Sequence, residues 1–145
     1  MQTRRKFIKK SCSGCFGVFA LGLGMSSVIS SCGTAINIYK VNQDSNQLKI
    51  PIASFTPGQK MIIVRSAELQ YDILLLKLDN ADYRAIYMRC THRDNPLTVN
   101  DKGMYCSEHG SAFDLQGNVT REPALQPLKK FKTAVDSENI LIFIG

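Results

Sequence analysis

Past residue 32 the chain uses cysteine and histidine in two short segments and nowhere else: CTHRDNPL at Cys90–Leu97 and CSEHGSAFDLQGNV at Cys106–Val119. Together they read Cys-x-His, thirteen residues, then Cys-x-x-His, so Cys90, His92, Cys106 and His109 form a set of two thiols and two imidazoles. Such groups bind zinc, and they bind iron held by sulfide bridges. Two loops that each present one thiolate and one imidazole can meet at a single metal site. Zinc fingers favour Cys-x-x-Cys pairs, which these segments lack. With bridged iron the mixed set has an electronic consequence. Two ferric ions, two sulfides and two thiolates are together neutral, whereas four thiolates leave the oxidised centre doubly negative. A neutral centre takes up an electron more readily, and the potential rises by hundreds of millivolts over the all-cysteine version. The set points to one-electron chemistry at moderate potential.

The elements that must hold these loops read as strands and turns, with no long helical period after Thr34. AINIYKV (35–41) alternates in part, and LKIPIASF (48–55) contains Pro51, which suits an edge position. TPGQ (Thr56–Gln59) places Pro second and Gly third in a turn. KMIIVRS (60–66) and DILLLKL (72–78) are short apolar runs whose length and β-branched content favour strands over one helix across 61–78. DNAD (79–82) turns the chain into YRAIYM (83–88), a hairpin that delivers the first loop, and GMY (103–105) delivers the second. KTAVDSENILIFIG (132–145) reads as a strand, a turn around Ser137–Asn139 and a last strand. Short strands at this spacing predict an all-β antiparallel sandwich or barrel over residues 34–145.

The segment from Met88 to Phe131 resembles the Rieske iron–sulfur family, through Cys-x-x-His-Gly-Ser, the Phe113–Asp114 pair, Gly117 and EPALQPLKKF at Glu122–Phe131. The resemblance implies a Rieske-type β-sandwich with a small cluster-binding subdomain made of two loops, and one [2Fe–2S] cluster per chain. It implies that Cys90 and Cys106 bind one iron and His92 and His109 the other. Gly110 then lets the backbone pass close to the cluster, Ser111 points its hydroxyl at a bridging sulfide, Leu97 shields the cluster from water, and the run Pro123–Pro127 covers its third side. The chain also departs from the quinol-oxidising members. Asn95 and Glu108 stand where those carry a disulfide, Phe113 stands where they carry a tyrosine, and Asp94 stands where a glycine is usual. The charges of Asp94 and Glu108 oppose uptake of an electron. A potential below the quinol-oxidising type is expected, within about −150 to +300 mV. Zinc explains neither the HGSAFD run nor the proline loop.

The first 31 residues hold five of the 18 Lys and Arg (Arg4, Arg5, Lys6, Lys9 and Lys10) and none of the 12 Asp and Glu. That leaves 13 basic against 12 acidic residues, so the rest is near neutral and lacks the basic face that nucleic-acid binding requires. TRRKFIKK followed by an apolar, Gly-rich stretch from Phe16 to Ile29 resembles a twin-arginine export signal. ISSC (Ile29–Cys32) resembles a lipobox, making Cys32 a lipidation site. The alternative is a retained helix, since about 20 residues can span a bilayer. Cys12 and Cys15 read as apolar filler of the signal. The sequence thus predicts an extracytoplasmic, membrane-tethered electron carrier or electron-transfer subunit that meets redox partner proteins. Independent catalysis and a small-molecule substrate are not expected, because a ring oxygenase needs a further iron with its own histidines. Alternatives are the Rieske subunit of a quinol–cytochrome reductase and the small subunit of a periplasmic molybdenum oxidoreductase.

Overall fold

A computed structural model describes residues 36–145. The expectations for the signal (1–31) and for Cys32 lie outside the described residues. The run Ile73-Leu74-Leu75-Leu76 is buried at all four positions. Side chains of a strand alternate between faces, so an uninterrupted apolar run marks a strand covered on both sides. This is strand β4 (Ile73–Lys77). Ile73 and Leu75 belong to one apolar cluster, and Leu74 and Leu76 to another. β4 is the wall between two cores.

Preceding it are β1 (Ile38–Lys40), β2 (Gln47–Pro51) and β3 (Met61–Arg65), with a single 3-10 turn at Ile52–Ser54. After it come β5 (Tyr83–Tyr87), β6 (Thr98–Asn100), β7 (Gly103–Tyr105), β8 (Ala112–Phe113), β9 (Val119–Arg121), β10 (Lys130–Val135) and β11 (Asn139–Phe143). Seven strands form one curled sheet in the order β1-β3-β4-β5-β10-β11-β2, and four form a small sheet in the order β6-β7-β8-β9. β10 makes the curl: Lys130 and Phe131 pair with β5, while Lys132–Val135 pair with β11. The first core lies between the two halves, with Ile62, Val64 and Ala85 from one and Leu48, Ile50, Ile140 and Ile142 from the other. The second core joins the large sheet, through Leu74, Leu76 and Ile86, to the residues around Cys90 and Cys106.

The fold is the all-β sandwich expected, with one exception to its antiparallel plan: β1 runs parallel to β3. Pro51 ends the edge strand β2, opposite Asn139. Thr56–Gln59 closes as a type II turn, with the Gln59 N–H on the Thr56 carbonyl at 3.0 Å and Gly58 at φ +81°. Lys77 pairs with Tyr83 across the expected hairpin. In the β10–β11 turn the Asp136 carboxylate accepts the N–H groups of Glu138 and Asn139 at 2.8 and 2.6 Å. These bonds favour the ionised form and hold Asp136 below its ordinary value of 3.8. β5 and β10 are sheet neighbours, and the whole small sheet with both Cys/His loops lies between them in the chain.

Candidate metal centre

Each Cys/His loop is a tight turn closed by two backbone hydrogen bonds, and the two loops repeat one pattern. In the first, the Cys90 N–H donates to the Asn95 carbonyl at 2.8 Å and the Asp94 N–H donates to the Cys90 carbonyl at 2.9 Å. In the second, the Cys106 N–H donates to the Ser111 carbonyl at 2.9 Å and the Gly110 N–H donates to the Cys106 carbonyl at 3.0 Å. The fifth residue of each turn has left-handed backbone, Asp94 at φ +52° and Gly110 at φ +81°. Glycine adopts that region freely, and aspartate tolerates it better than most residues. A Cβ at Gly110 would meet only the Arg121 guanidinium, at 3.9 Å. Among protein atoms, then, this glycine is required by its dihedral and not by crowding.

The loops bring their imidazoles together. The rings of His92 and His109 lie edge to face with centroids 4.9 Å apart. His109 is exposed and His92 half-buried. Cys90 and Cys106 are not joined in a disulfide, and both are buried in the second core with Leu97, Phe113 and Ala124. Leu97 and Phe113 are themselves buried there, 7% and 2% exposed. His92 Nδ1 is buried and has no hydrogen-bond partner. A buried nitrogen lone pair without a donor is costly, and a metal ion would satisfy it. Two thiols and two imidazoles are the donor types that a sulfide-bridged iron pair accepts. The residues present fit a binuclear cluster.

A third loop, Glu122–Gln126, is tied to both. The Ser111 side chain is fully buried, and its oxygen accepts the Ala124 N–H at 3.0 Å. That leaves the hydroxyl proton free to donate elsewhere. Thr91 Oγ1 donates to the Gln126 carbonyl at 2.6 Å, and Arg121 Nε to the Gly110 carbonyl at 2.5 Å. Leu125, on the same loop, is 76% exposed. The charges expected near the site are unequal in effect. Arg89 Nε and Nη2 both reach Asp94 Oδ1 at 2.7 Å, and this contact raises the guanidinium pKa by hydrogen bonding and by charge. Much of the Asp94 charge is thereby offset, and exposed Glu108 remains as the acidic group expected to lower the potential. The Tyr71 hydroxyl donates to the Asp94 carbonyl. Asp114, read in sequence only as part of a motif, caps the β8–β9 turn by accepting the N–H groups of Gln116 and Asn118 at 2.9 and 2.8 Å. Burial pushes its pKa up, and these bonds together outweigh burial and hold it low. Tyr71, Arg89, Thr91 and Arg121 escaped sequence reasoning, because a hydrogen bond from a side chain to a carbonyl or carboxylate of a ligand loop leaves no residue pattern.

Residues 47–132 match the family model for the Rieske [2Fe–2S] domain. Apoptosis-inducing factor 3 of Mus musculus is 31% identical over 83 residues, covering 54% of this chain and 14% of the relative. The cytochrome b6-f complex iron-sulfur subunit 2 of a Nostoc species is 39% identical over 56 residues, covering 39% of this chain and 30% of the relative. The chain thus spans less than a third of the length of either. Among solved structures, naphthalene 1,2-dioxygenase superposes with a TM-score of 0.56 at 20% identity, over 69% of this chain and 26% of that one, and shares the fold. With more than half its length matched to the domain model, and with paired Cys/His loops on a curled β-sandwich, the chain belongs to the Rieske [2Fe–2S] family and carries the cluster that defines it.

Proposed function

We propose that Cys90 and Cys106 hold one iron of the cluster and His92 and His109 the other, and that the protein passes single electrons between partner proteins outside the cytoplasm. The observation that carries this reading is the meeting of the His92 and His109 rings at the tips of two turns of one design, with His92 Nδ1 buried and unpartnered. When bound, the cluster supplies a one-electron couple at moderate potential. The chain's own part is to hold it. The cysteines anchor it in the apolar core, Leu97 and Phe113 keep water from the thiolates, the Ser111 hydroxyl is free to donate toward a sulfide, and exposed His109 offers an edge to a partner. Leu125, on the third loop, is a further exposed apolar side chain that a partner could cover.

EPR of the dithionite-reduced protein tests the assignment. The expected average g lies below that of all-cysteine clusters, and substitution of His92 or Cys106 by alanine abolishes the signal. A silent spectrum after anaerobic reconstitution would refute it. We infer also that the twin-arginine signal exports the folded protein and that a lipid on Cys32 tethers it to the membrane; the mass of the mature N-terminus decides between lipid and retained helix. Among the described residues no helix is long and apolar enough to cross a membrane. A place in a quinol–cytochrome reductase is a second reading, favoured by likeness to a protein named as a cytochrome b6-f subunit. Asn95 and Glu108 weigh against it, since no disulfide can staple these loops.

A further inference from the structure

The two ligand loops share a backbone design but differ at its critical residue. The left-handed position after each Cys/His pair is a glycine in the second loop and an aspartate in the first. In both, the carbonyl of that residue is gripped from outside the turn: Gly110 by Arg121 Nε, Asp94 by the Tyr71 hydroxyl. Only Asp94 has its side chain held as well, by Arg89. Tyr71 is itself rooted in the sandwich. Its ring packs edge-on against Tyr87 at 5.6 Å, and Tyr87 packs edge-on against Phe131 of the first core at 5.5 Å.

We propose that Tyr71 and Arg89 clamp Asp94 in its left-handed conformation and thereby position His92, doing by side-chain contacts what glycine does by its own freedom in the other loop. Tyr71 and Arg89 are positioning residues, and their bearing on the cluster rests on the ligand assignment above. The physical need is plain. An L-residue at φ +52° is disfavoured unless its surroundings hold it there. If Asp94 relaxed, the bond from its N–H to the Cys90 carbonyl would open, and His92 sits inside the turn which that bond closes. The Arg89–Asp94 contact is solvent-exposed and worth little alone; Tyr71, half-buried and packed on Tyr87, is the better anchored half of the clamp.

The test compares full-length Tyr71→Phe, Asp94→Gly, the double variant Tyr71→Phe/Asp94→Gly, and Arg121→Gln. Three quantities are read: amide exchange at Asp94 in the chain as purified, the rate at which an iron chelator bleaches the visible absorbance, and the line shape of the reduced EPR signal, which reports histidine geometry. Tyr71→Phe is expected to speed exchange and bleaching about fivefold, the loss of one such hydrogen bond, and to broaden the EPR signal. Asp94→Gly in that background returns all three toward wild type, since glycine needs no clamp. Arg121→Gln changes them less than Tyr71→Phe, because Gly110 keeps its conformation unaided. Wild-type exchange and bleaching in Tyr71→Phe would overturn the proposal, as would a double variant no better than Tyr71→Phe. Should the wild type itself give no Rieske signal, the ligand assignment fails, while exchange at Asp94 still judges the clamp.

Discussion

Replacing Ser111 by alanine removes one oxygen and exposes how the three loops are held together. The hydroxyl is fully buried and accepts the N–H of Ala124, itself fully buried, at 3.0 Å. In the variant that N–H has no partner, and an orphaned buried donor costs about 1–3 kcal/mol. For a domain of roughly 110 residues each kcal/mol moves the melting temperature by about 4 °C. A drop of about 4–12 °C is expected. Thr91→Val is the matched control, since it cuts the other tie to the same loop, Thr91 Oγ1 to the Gln126 carbonyl at 2.6 Å. Thr91 is half-buried and Gln126 exposed, so water replaces the lost bond and a cost below about 1 kcal/mol is expected. Melting is followed by circular dichroism at fixed iron content, because cluster loss would confound a two-state analysis. A redox titration of the same samples reads the second role of the hydroxyl. With its oxygen engaged by Ala124, its proton remains to donate toward a sulfide and favour the reduced form, so Ser111→Ala lowers the midpoint. Equal melting temperatures for Ser111→Ala and wild type would refute the energetic reasoning. An unchanged midpoint would remove Ser111 from the electron-transfer account.

Gly103 sits at φ +155°, where an added Cβ would lie 2.2 Å from the Phe113 carbonyl oxygen. Gly103→Ala must part β7 from β8, at an overpacking cost of about 1–3 kcal/mol, seen as a lowered melting temperature and a reduced cluster yield after reconstitution. Removing iron leaves the first core intact, since it contains none of the proposed ligands; the far-ultraviolet spectrum is expected to persist while amide protection at Cys90 and Cys106 falls. For Asp136 the folded pKa lies below its ordinary 3.8. Its contribution to stability is thus complete above the unfolded value of about 3.9 and is lost as pH falls through the lower folded value. Asp136→Asn should flatten the acid limb of a stability–pH profile in that range, and an unchanged limb would count against the turn as its source.

Much of the scaffold was legible because its signals are local. The Thr56–Gln59 turn, the 79–82 hairpin and the buried run of β4 each declare themselves within a few residues. Pro51 marked an edge strand because a missing N–H excludes it from the middle of a sheet. The parallel pairing of β1 with β3 was not legible, since nothing in three residues encodes direction. Nor was the division of β10 between two halves of the sheet, which depends on one distant partner, β5, and one adjacent partner, β11. At the centre, the Cys/His spacing singled out all four proposed ligands, and the structure brings the two imidazoles together. Asp94 illustrates the limit. Sequence shows a negative charge, whereas the structure shows a turn residue in a glycine's conformation with its carboxylate paired to Arg89. Charge is a property of the residue; its neutralisation is a property of the neighbourhood.

The chain leaves the large sheet at the end of β5 and returns to it at β10, and those two strands lie side by side. Viewed as plumbing, residues 88–129 are a cartridge whose inlet and outlet share one socket. A β-turn could bridge Tyr87 and Lys130 and leave a continuous hairpin, so the redox module can be swapped, lengthened or deleted with the scaffold's strand order kept. The face of the large sheet that carries Leu74, Leu76 and Ile86 would have to be resurfaced.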